Sequence, residues 1–329
     1  MADATPSSLI PHIHLLCMEK RFVSAFTSAI AHHGLESSTA LTFELHNAAL
    51  QFVPESTRFD LVVSPANSYG RLDGGFDDAI SRAFSPRDDY LALTRVAQRT
   101  LYDTWRGFAP PGTCTLVRIP EDFDPPRSRN VWGARYLALC PTMRTPQEVT
   151  WDREVVYESV WSLLVAVDRH NEGVRARSSS HQDVEIESIL MTPLATGIGR
   201  VSEERWAHQC VLAMNHFLEA KQRPDKWSSL APVDIFEHTN EVVDTWTMCG
   251  IKDILDETEG MRYSWAFLDL DACGASHLDP LSNREVSIVT SREIPEAAWI
   301  DVLDQVHDYL ETFEVGFNVQ LRYVEDIEW

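Results

Sequence analysis

The chain has 329 residues, 44% of them hydrophobic and 10 of them tryptophan, which suits a folded protein with a sizeable core in one large domain or two modest ones. Fifty acids against 28 bases leave a net charge of −22, and this excludes a general nucleic-acid or anionic-membrane binder, because phosphate contacts need clustered Lys and Arg. The charge is uneven: residues 1–230 carry −5 and residues 231–329 carry −17.

In chain order, Ile10–Cys17 predicts a strand and Lys20–His33 a helix, with Phe22, Phe26 and Ile30 recurring at four-residue spacing. Ala40–Leu45 and Phe59–Ser64 predict strands, and Phe76–Phe84 and Tyr90–Trp105 helices broken at Pro86. Thr113–Ile119 and Ala134–Cys140 follow as strands around a Pro/Arg-rich loop, and Glu148–His170 as a long helix. A Ser/Arg-rich loop, 173–183, leads to a strand at Ile186–Thr192 and a helix at Ser202–Ala220, where Ser202, Glu203 and Glu204 suit a helix start. Pro224–Pro232 reads as a linker at the charge break. Beyond it, Tyr263–Leu270, Val286–Thr290 and Gly316–Tyr323 predict strands and Pro295–Phe313 a helix. The expected division is a tail over 1–9, a ligand-binding α/β domain over 10–222, a linker over 223–239 and an acidic α/β region over 240–329. This alternation predicts a mixed or mostly parallel sheet covered by helices on both faces.

The N-terminus lacks a basic segment followed by an apolar one, so no signal peptide is expected. No apolar run reaches the roughly 18 residues that span a bilayer. Six scattered cysteines without a C-x-x-C pair read as reduced thiols. A cytoplasmic or nuclear protein that binds neither membrane nor nucleic acid is expected.

Two segments carry the chemistry. The first runs from Leu61-Val62-Val63-Ser64-Pro65-Ala66-Asn67-Ser68 through Asp73-Gly74-Gly75-Phe76-Asp77-Asp78. There a buried strand ends in a polar turn and a Gly-rich loop opens a helix. Ligands in open α/β sheets bind beyond the carboxyl ends of strands, and a helix N-terminus offers N–H groups to an anion. Asn67 supplies both a donor and an acceptor suited to a sugar hydroxyl. The second segment, Ile189-Leu190-Met191-Thr192-Pro193-Leu194-Ala195-Thr196-Gly197-Ile198-Gly199-Arg200, repeats the arrangement with backbone N–H groups placed to wrap phosphate oxygens. Either loop alone is an ordinary strand-to-helix turn; together they suit a diphosphate between two sugars.

These blocks resemble the motifs of the macrodomain family, over about residues 10–222, and most nearly those of the divergent macro-like proteins of fungi. The resemblance implies a three-layer α/β/α fold that binds ADP-ribose, free or on a modified protein, with hydrolysis of an ADP-ribosyl or ADP-ribose-phosphate bond in some members. It implies that Asn67 contacts the distal ribose, that Asp73, Gly74, Gly75 and Phe76 line the ribose and diphosphate, and that Asp77 stands near the scissile bond. It makes Thr196, Gly197, Ile198 and Gly199 the second phosphate loop. Asn67 and Asp77 are the expected catalytic pair, with no cofactor and no metal. The chain departs from the family at His46-Asn47-Ala48-Ala49-Leu50, where an adenine-binding Asp is usual. Asp73 replaces a glycine, and its charge beside a diphosphate is unfavourable unless it pairs with Arg71 or Arg200. Ser81 stands where many hydrolases have His. Asp77-Asp78 replaces the adjacent glutamates of glycohydrolase-like members, and Lys20, the one lysine before Lys221, leaves no candidate for a lysine nucleophile. The alternative is a non-catalytic reader or scaffold whose acidic residues 240–329 dock a basic protein.

The remaining features read as structural. His12 and His14 share a strand face with no third ligand nearby in sequence, and His208 and His216 lie two helical turns apart, too far to chelate. His32-His33 before Gly34 suits the positive charge favoured at a helix C-terminus. Cys140 reads as a buried thiol, and Trp151, Trp161, Trp206, Trp246 and Trp265 mostly as core.

Overall fold

The computed structural model describes residues 9–36, 38–176 and 183–247, together with the strand segments 265–269, 284–290 and 317–323. The chain divides into two compact units, Met1–Met248 and Cys249–Trp329.

The first unit is built on a six-stranded sheet in the order β2-β1-β6-β3-β5-β4. Its strands are β1 (His12–Leu16), β2 (Phe43–His46), β3 (Leu61–Ser64), β4 (Thr115–Arg118), β5 (Tyr136–Leu139) and β6 (Ser188–Met191). All neighbours are parallel except β4, which runs antiparallel to β5, so the sheet is mixed. The central strands β3 and β5 are buried at every position, as their unbroken apolar runs require. Period-two alternation then divides their side chains between two cores. Leu61, Val63, Ala138, Ile189 and Met191 pack on one side with α1 (Lys20–His32), α4 (Val155–Ala176) and α5 (Glu203–Gln222). Val62, Leu137, Leu139 and Leu190 pack on the other with α2 (Gly75–Phe84) and α3 (Ala92–Trp105). The result is a three-layer α/β/α architecture with a mixed sheet.

Helix α4 runs on to Ala176, past the expected His170 and into the expected loop over 173–183. Two further differences have local reasons. Helix α4 begins at Val155 rather than Glu148, because the preceding carbonyls are bonded elsewhere. Arg205, buried on α5, donates to Thr150 O (3.1 Å) and Asp152 O (2.8 Å), and Gln209 donates to Arg153 O (2.5 Å). The expected linker over 223–239 contains α6 (Pro224–Trp227) and most of α7 (Pro232–Asp244). Its prolines occupy helix starts, where a missing N–H costs nothing, and Asp234 caps α7 by accepting the Ala231 N–H at 2.9 Å. Among the described residues, no helix is long and apolar enough to cross a membrane.

The second unit shows three strands, each within two residues of its predicted position. β7 (Trp265–Asp269) pairs antiparallel with β8 (Arg284–Thr290), which pairs parallel with β9 (Phe317–Tyr323). The predicted helix Pro295–Phe313 lies outside the described residues.

Candidate functional site

The carboxyl ends of the five parallel strands deliver their loops to one cavity of about 420 Å³. It is lined by Asn67, Asp73, Gly74, Gly75, Phe76 and Asp77 from the β3–α2 loop and by Thr196, Gly197, Ile198 and Gly199 from the β6–α5 loop. Every site residue expected from sequence is therefore brought to one place. Residues beyond the other strand ends complete the wall: Met18, Glu19 and Phe22 after β1, Ala49 and Leu50 after β2, Thr142, Met143 and Pro146 after β5. No motif marks these; their signal was position, since parallel strands send all their carboxyl-end loops to the same edge.

The β3–α2 loop is held by Asn67. Its Oδ1 accepts the backbone N–H groups of Tyr69 (3.0 Å) and Arg71 (3.4 Å), and its Nδ2 donates to Arg71 O (2.9 Å). The side chain is thus largely committed to the turn, and one amide N–H remains to face the cavity. Gly70 follows at φ +64°, and a Cβ there would stand 2.7 Å from Leu101 Cδ1. Asp73 pairs with Arg71 (Oδ2 to Nε, 2.8 Å), so its charge is partly neutralised. Ser81 Oγ donates to Leu72 O at 2.5 Å, which fixes the loop from the helix side. The backbone N–H groups of Gly75 and Phe76, in the first turn of α2, make no hydrogen bond among the described residues.

The β6–α5 loop is held by backbone hydrogen bonds. Arg200 N–H donates to Gly197 O (3.1 Å), Val201 N–H to Ala195 O (3.1 Å), and Val149 N–H to Gly199 O (3.0 Å). Ala195 (φ +61°) and Arg200 (φ +55°) lie in the left-handed region, a strain on the order of 1–3 kcal/mol each that the surrounding bonds must hold. At Gly199 a Cβ would press on the Ala195 carbonyl oxygen and stand 2.9 Å from Val149 Cγ2, so only glycine fits. At Gly197 a Cβ would meet nothing within 4 Å. The backbone N–H groups of Thr196, Gly197, Ile198 and Gly199 make no hydrogen bond among the described residues. Two sets of N–H groups on facing walls give the cavity an anion-accepting character independent of net charge.

Asp77 is buried at the third position of α2, where it accepts the Ser64 hydroxyl at 2.6 Å. Burial pushes its carboxyl up to about 7; the Ser64 hydrogen bond opposes this shift and nearby Asp73 adds to it. A carboxyl that exchanges its proton near neutrality can act as a general base or acid. Its neighbour Asp78 points to the surface, bonded to Tyr90 and Arg82 (both 2.7 Å), and does not line the cavity.

Where the resemblance led an adenine-binding acid to be expected, Asn47 donates to Cys17 O (2.9 Å) and Met18 O (3.1 Å), tying the ends of β1 and β2 together. Glu19, exposed at the end of β1, is the acid that lines this part of the cavity.

Elsewhere the histidine readings change. His33 is not a charged helix end: burial and its histidine neighbours lower it to about 4. It meets His208, also lowered to about 4, at 3.3 Å. His12 and His14 meet Glu44 and His46 from β2, ligand types remote in sequence that the parallel register brings alongside. Trp206 is core, whereas Trp151 is 68% exposed; Trp265 is described only as backbone. Cys17, Cys114, Cys140 and Cys210 are free thiols, and the hydrogen bond with Cys114, together with burial, raises Cys140.

Neither a protein-family model nor any curated protein matches the sequence. Among solved structures, the chain is similar to the Oceanobacillus iheyensis macrodomain with ADP, at 18% identity and a TM-score of 0.35 over 51% of this chain and 74% of that one. A mutant of that macrodomain with ADPR gives 17% identity and a TM-score of 0.35 over 51% and 76%.

Proposed function

We propose that residues 10–222 form the ligand-binding part of a macro-like protein, of the divergent kind found in fungi, that binds ADP-ribose or a derivative in this cavity. The observation that carries the reading is the meeting of two loops whose backbone N–H groups are unbonded among the described residues, Gly75–Phe76 and Thr196–Gly199, across a cavity of about 420 Å³. That volume falls in the usual range for small-molecule sites. The diphosphate lies between the loops, the distal ribose against Asn67 and Phe76, and the base toward Met18, Glu19 and Phe22. Glu19 takes the place of the family's acid and accepts the exocyclic amine. Asp77 orients or deprotonates the water that attacks an ADP-ribosyl or ADP-ribose-phosphate bond. In this reading the hydrolysis proceeds without a metal ion. The free thiols among the described residues, buried at Cys17, Cys140 and Cys210, fit a protein of the cytoplasm or nucleus.

Titration calorimetry with ADP-ribose tests binding. The wild type should release heat with micromolar affinity, and Gly197→Glu, which places a carboxylate in the second loop without a clash, should release none. Absence of heat with the wild type overturns the reading. Release of ADP-ribose from modified protein, or of phosphate from ADP-ribose phosphate, tests turnover, which Asp77→Asn should abolish. A second reading is favoured by the 18 acids and 5 bases of residues 249–329. In it the chain is a reader without turnover whose acidic region, expected over 240–329, docks a basic protein. Binding without product release decides for it.

A further inference from the structure

Helices α5 and α7 each carry a histidine followed three residues later by a glutamate: His216 and Glu219 on α5, His238 and Glu241 on α7. That spacing sets both side chains of each helix on one face, and the fold turns the two faces together. His216 Nε2 lies 2.7 Å from Glu241 Oε2, and His238 Nδ1 lies 3.5 Å from the same oxygen. The other His216 nitrogen, Nδ1, lies 2.9 Å from the Tyr157 hydroxyl. His238 differs from its neighbours. Both of its ring nitrogens are fully buried and neither makes a hydrogen bond: carboxylate oxygens stand off at 3.5 Å from Nδ1 (Glu241) and 3.9 Å from Nε2 (Glu219), while the ring stacks on Trp227 with centroids 4.7 Å apart. Buried polar atoms are rarely left in that condition, because each forfeits hydration without replacement.

We propose that His216, His238 and Glu241 bind a divalent transition-metal ion of the zinc type, in a structural site that fastens α7 to α5. Two imidazoles and a carboxylate are the donor set such ions prefer. The three ligand atoms lie within 4.8 Å of one another. Donors held about 2.0–2.1 Å from a tetrahedral ion stand roughly 3.4 Å apart, close to the spacing of His238 Nδ1 and Glu241 Oε2. The shorter His216–Glu241 pair is a hydrogen bond. The ion displaces the shared proton from Nε2 to solvent, solvent returns a proton to Nδ1 so that the ring stays neutral, and the pair opens by under about an ångström. Tyr157 then accepts the His216 Nδ1 proton and turns the Nε2 lone pair toward the ion, the outer partner that metal-bound histidines ordinarily have. Glu241 is exposed, which leaves the fourth position to water.

The need for a fastening is visible in α7 itself. Val242 is its buried residue, whereas Val233, Ile235 and Phe236 are each more than half exposed. Two other histidine groups have ligand atoms equally close, but their buried nitrogens have partners. His14 bonds His46 and Arg58 O (both 3.1 Å), and His33 bonds His208.

The test uses the full chain after chelation, with Zn²⁺ calorimetry and Co²⁺ absorption as readouts. It compares wild type with His238→Phe, which keeps the ring on Trp227 and removes both nitrogens, and with Glu241→Gln on the exposed side. The wild type should bind one ion more than either variant and show a tetrahedral Co²⁺ spectrum that they lack. At a hundredfold excess over Kd, Zn²⁺ should raise its melting temperature by about 5–10 °C, a rise the variants lose. Without metal, His238→Phe should melt no lower than wild type. Equal stoichiometry and equal shifts in all three proteins, or no ion bound by wild type, overturns the proposal. The outcome is independent of ADP-ribose binding.

Discussion

At Asp77 a carboxyl sits where solvation opposes its charge. The folded chain holds the proton up to about pH 7, whereas an unfolded aspartate releases it near pH 4. Between those values the folded state binds more protons, so this group favours folding most at low pH and its contribution is lost as pH rises to 7. Asn at this position still accepts the Ser64 hydroxyl. Asp77→Asn should therefore be more stable than wild type at pH 8 by on the order of 2–4 kcal/mol, with little difference at pH 4. Urea unfolding at the two pH values measures this, and parallel pH profiles for the two proteins would count against the raised pKa. Asp77 was singled out through the resemblance of Gly74-Gly75-Phe76-Asp77 to a family motif, not by any pattern of its own. Its partner was not: Ser64 lies thirteen residues earlier, and its inward direction depends on the strand's register. Asn67 was legible as a polar residue past the strand, but not the commitment of its amide to Tyr69 and Arg71, which only the turn geometry determines.

Each of the two loops contains glycines of unequal meaning. Gly199 is required by space and Gly197 is not. Gly199→Ala should destabilise the protein by about 1–3 kcal/mol, since the backbone of Ala195 cannot give way without breaking the bond from Val201. Gly197→Glu should leave the melting temperature within about 1 °C of wild type, the usual result of an exposed substitution. Thermal melts of the pair separate a folding role from a ligand role, and a large loss for Gly197→Glu would sink the distinction. The strands and helices of the first unit were legible because periods of two and near four are written in Leu61-Val62-Val63 and in Phe22, Phe26 and Ile30. What escaped was set by side chains reaching across the sequence. Arg205 and Gln209 cap carbonyls about fifty residues away, so Glu148–Glu154 does not join α4. Pro224 and Pro232 read as a linker, yet a proline in the first turn is as much a helix signal as a loop signal.

For the molecule as a whole, the net charge divides at the boundary of the compact units: residues 249–329 carry −13 and residues 1–248 carry −9. Both cores of the three-layer unit, and every residue lining the cavity, lie before residue 249. A chain ending at Met248 should therefore fold and retain ADP-ribose affinity within about threefold, a difference of roughly 0.7 kcal/mol. Calorimetry on that chain and on the full protein checks this. A cut at residue 231 is a poorer experiment, because it removes α7 and uncovers His216. If backbone N–H groups supply the anion affinity, raising salt from 50 to 300 mM should weaken binding far less than it weakens a lysine-rich phosphate site.

The bond from Val149 to Gly199 also joins the β6–α5 loop to the turn carrying Trp151. That indole is exposed and donates to Glu148 O at 3.2 Å, while Arg205 holds the adjoining carbonyls of Thr150 and Asp152. An adjustment of the Gly199 carbonyl on ligand entry should pass through this hydrogen bond to a chromophore outside the cavity. If so, Trp151 serves as a native optical reporter of loop occupancy. Its emission should shift as ligand is added, and Trp151→Phe should silence the signal while calorimetric binding stays unchanged.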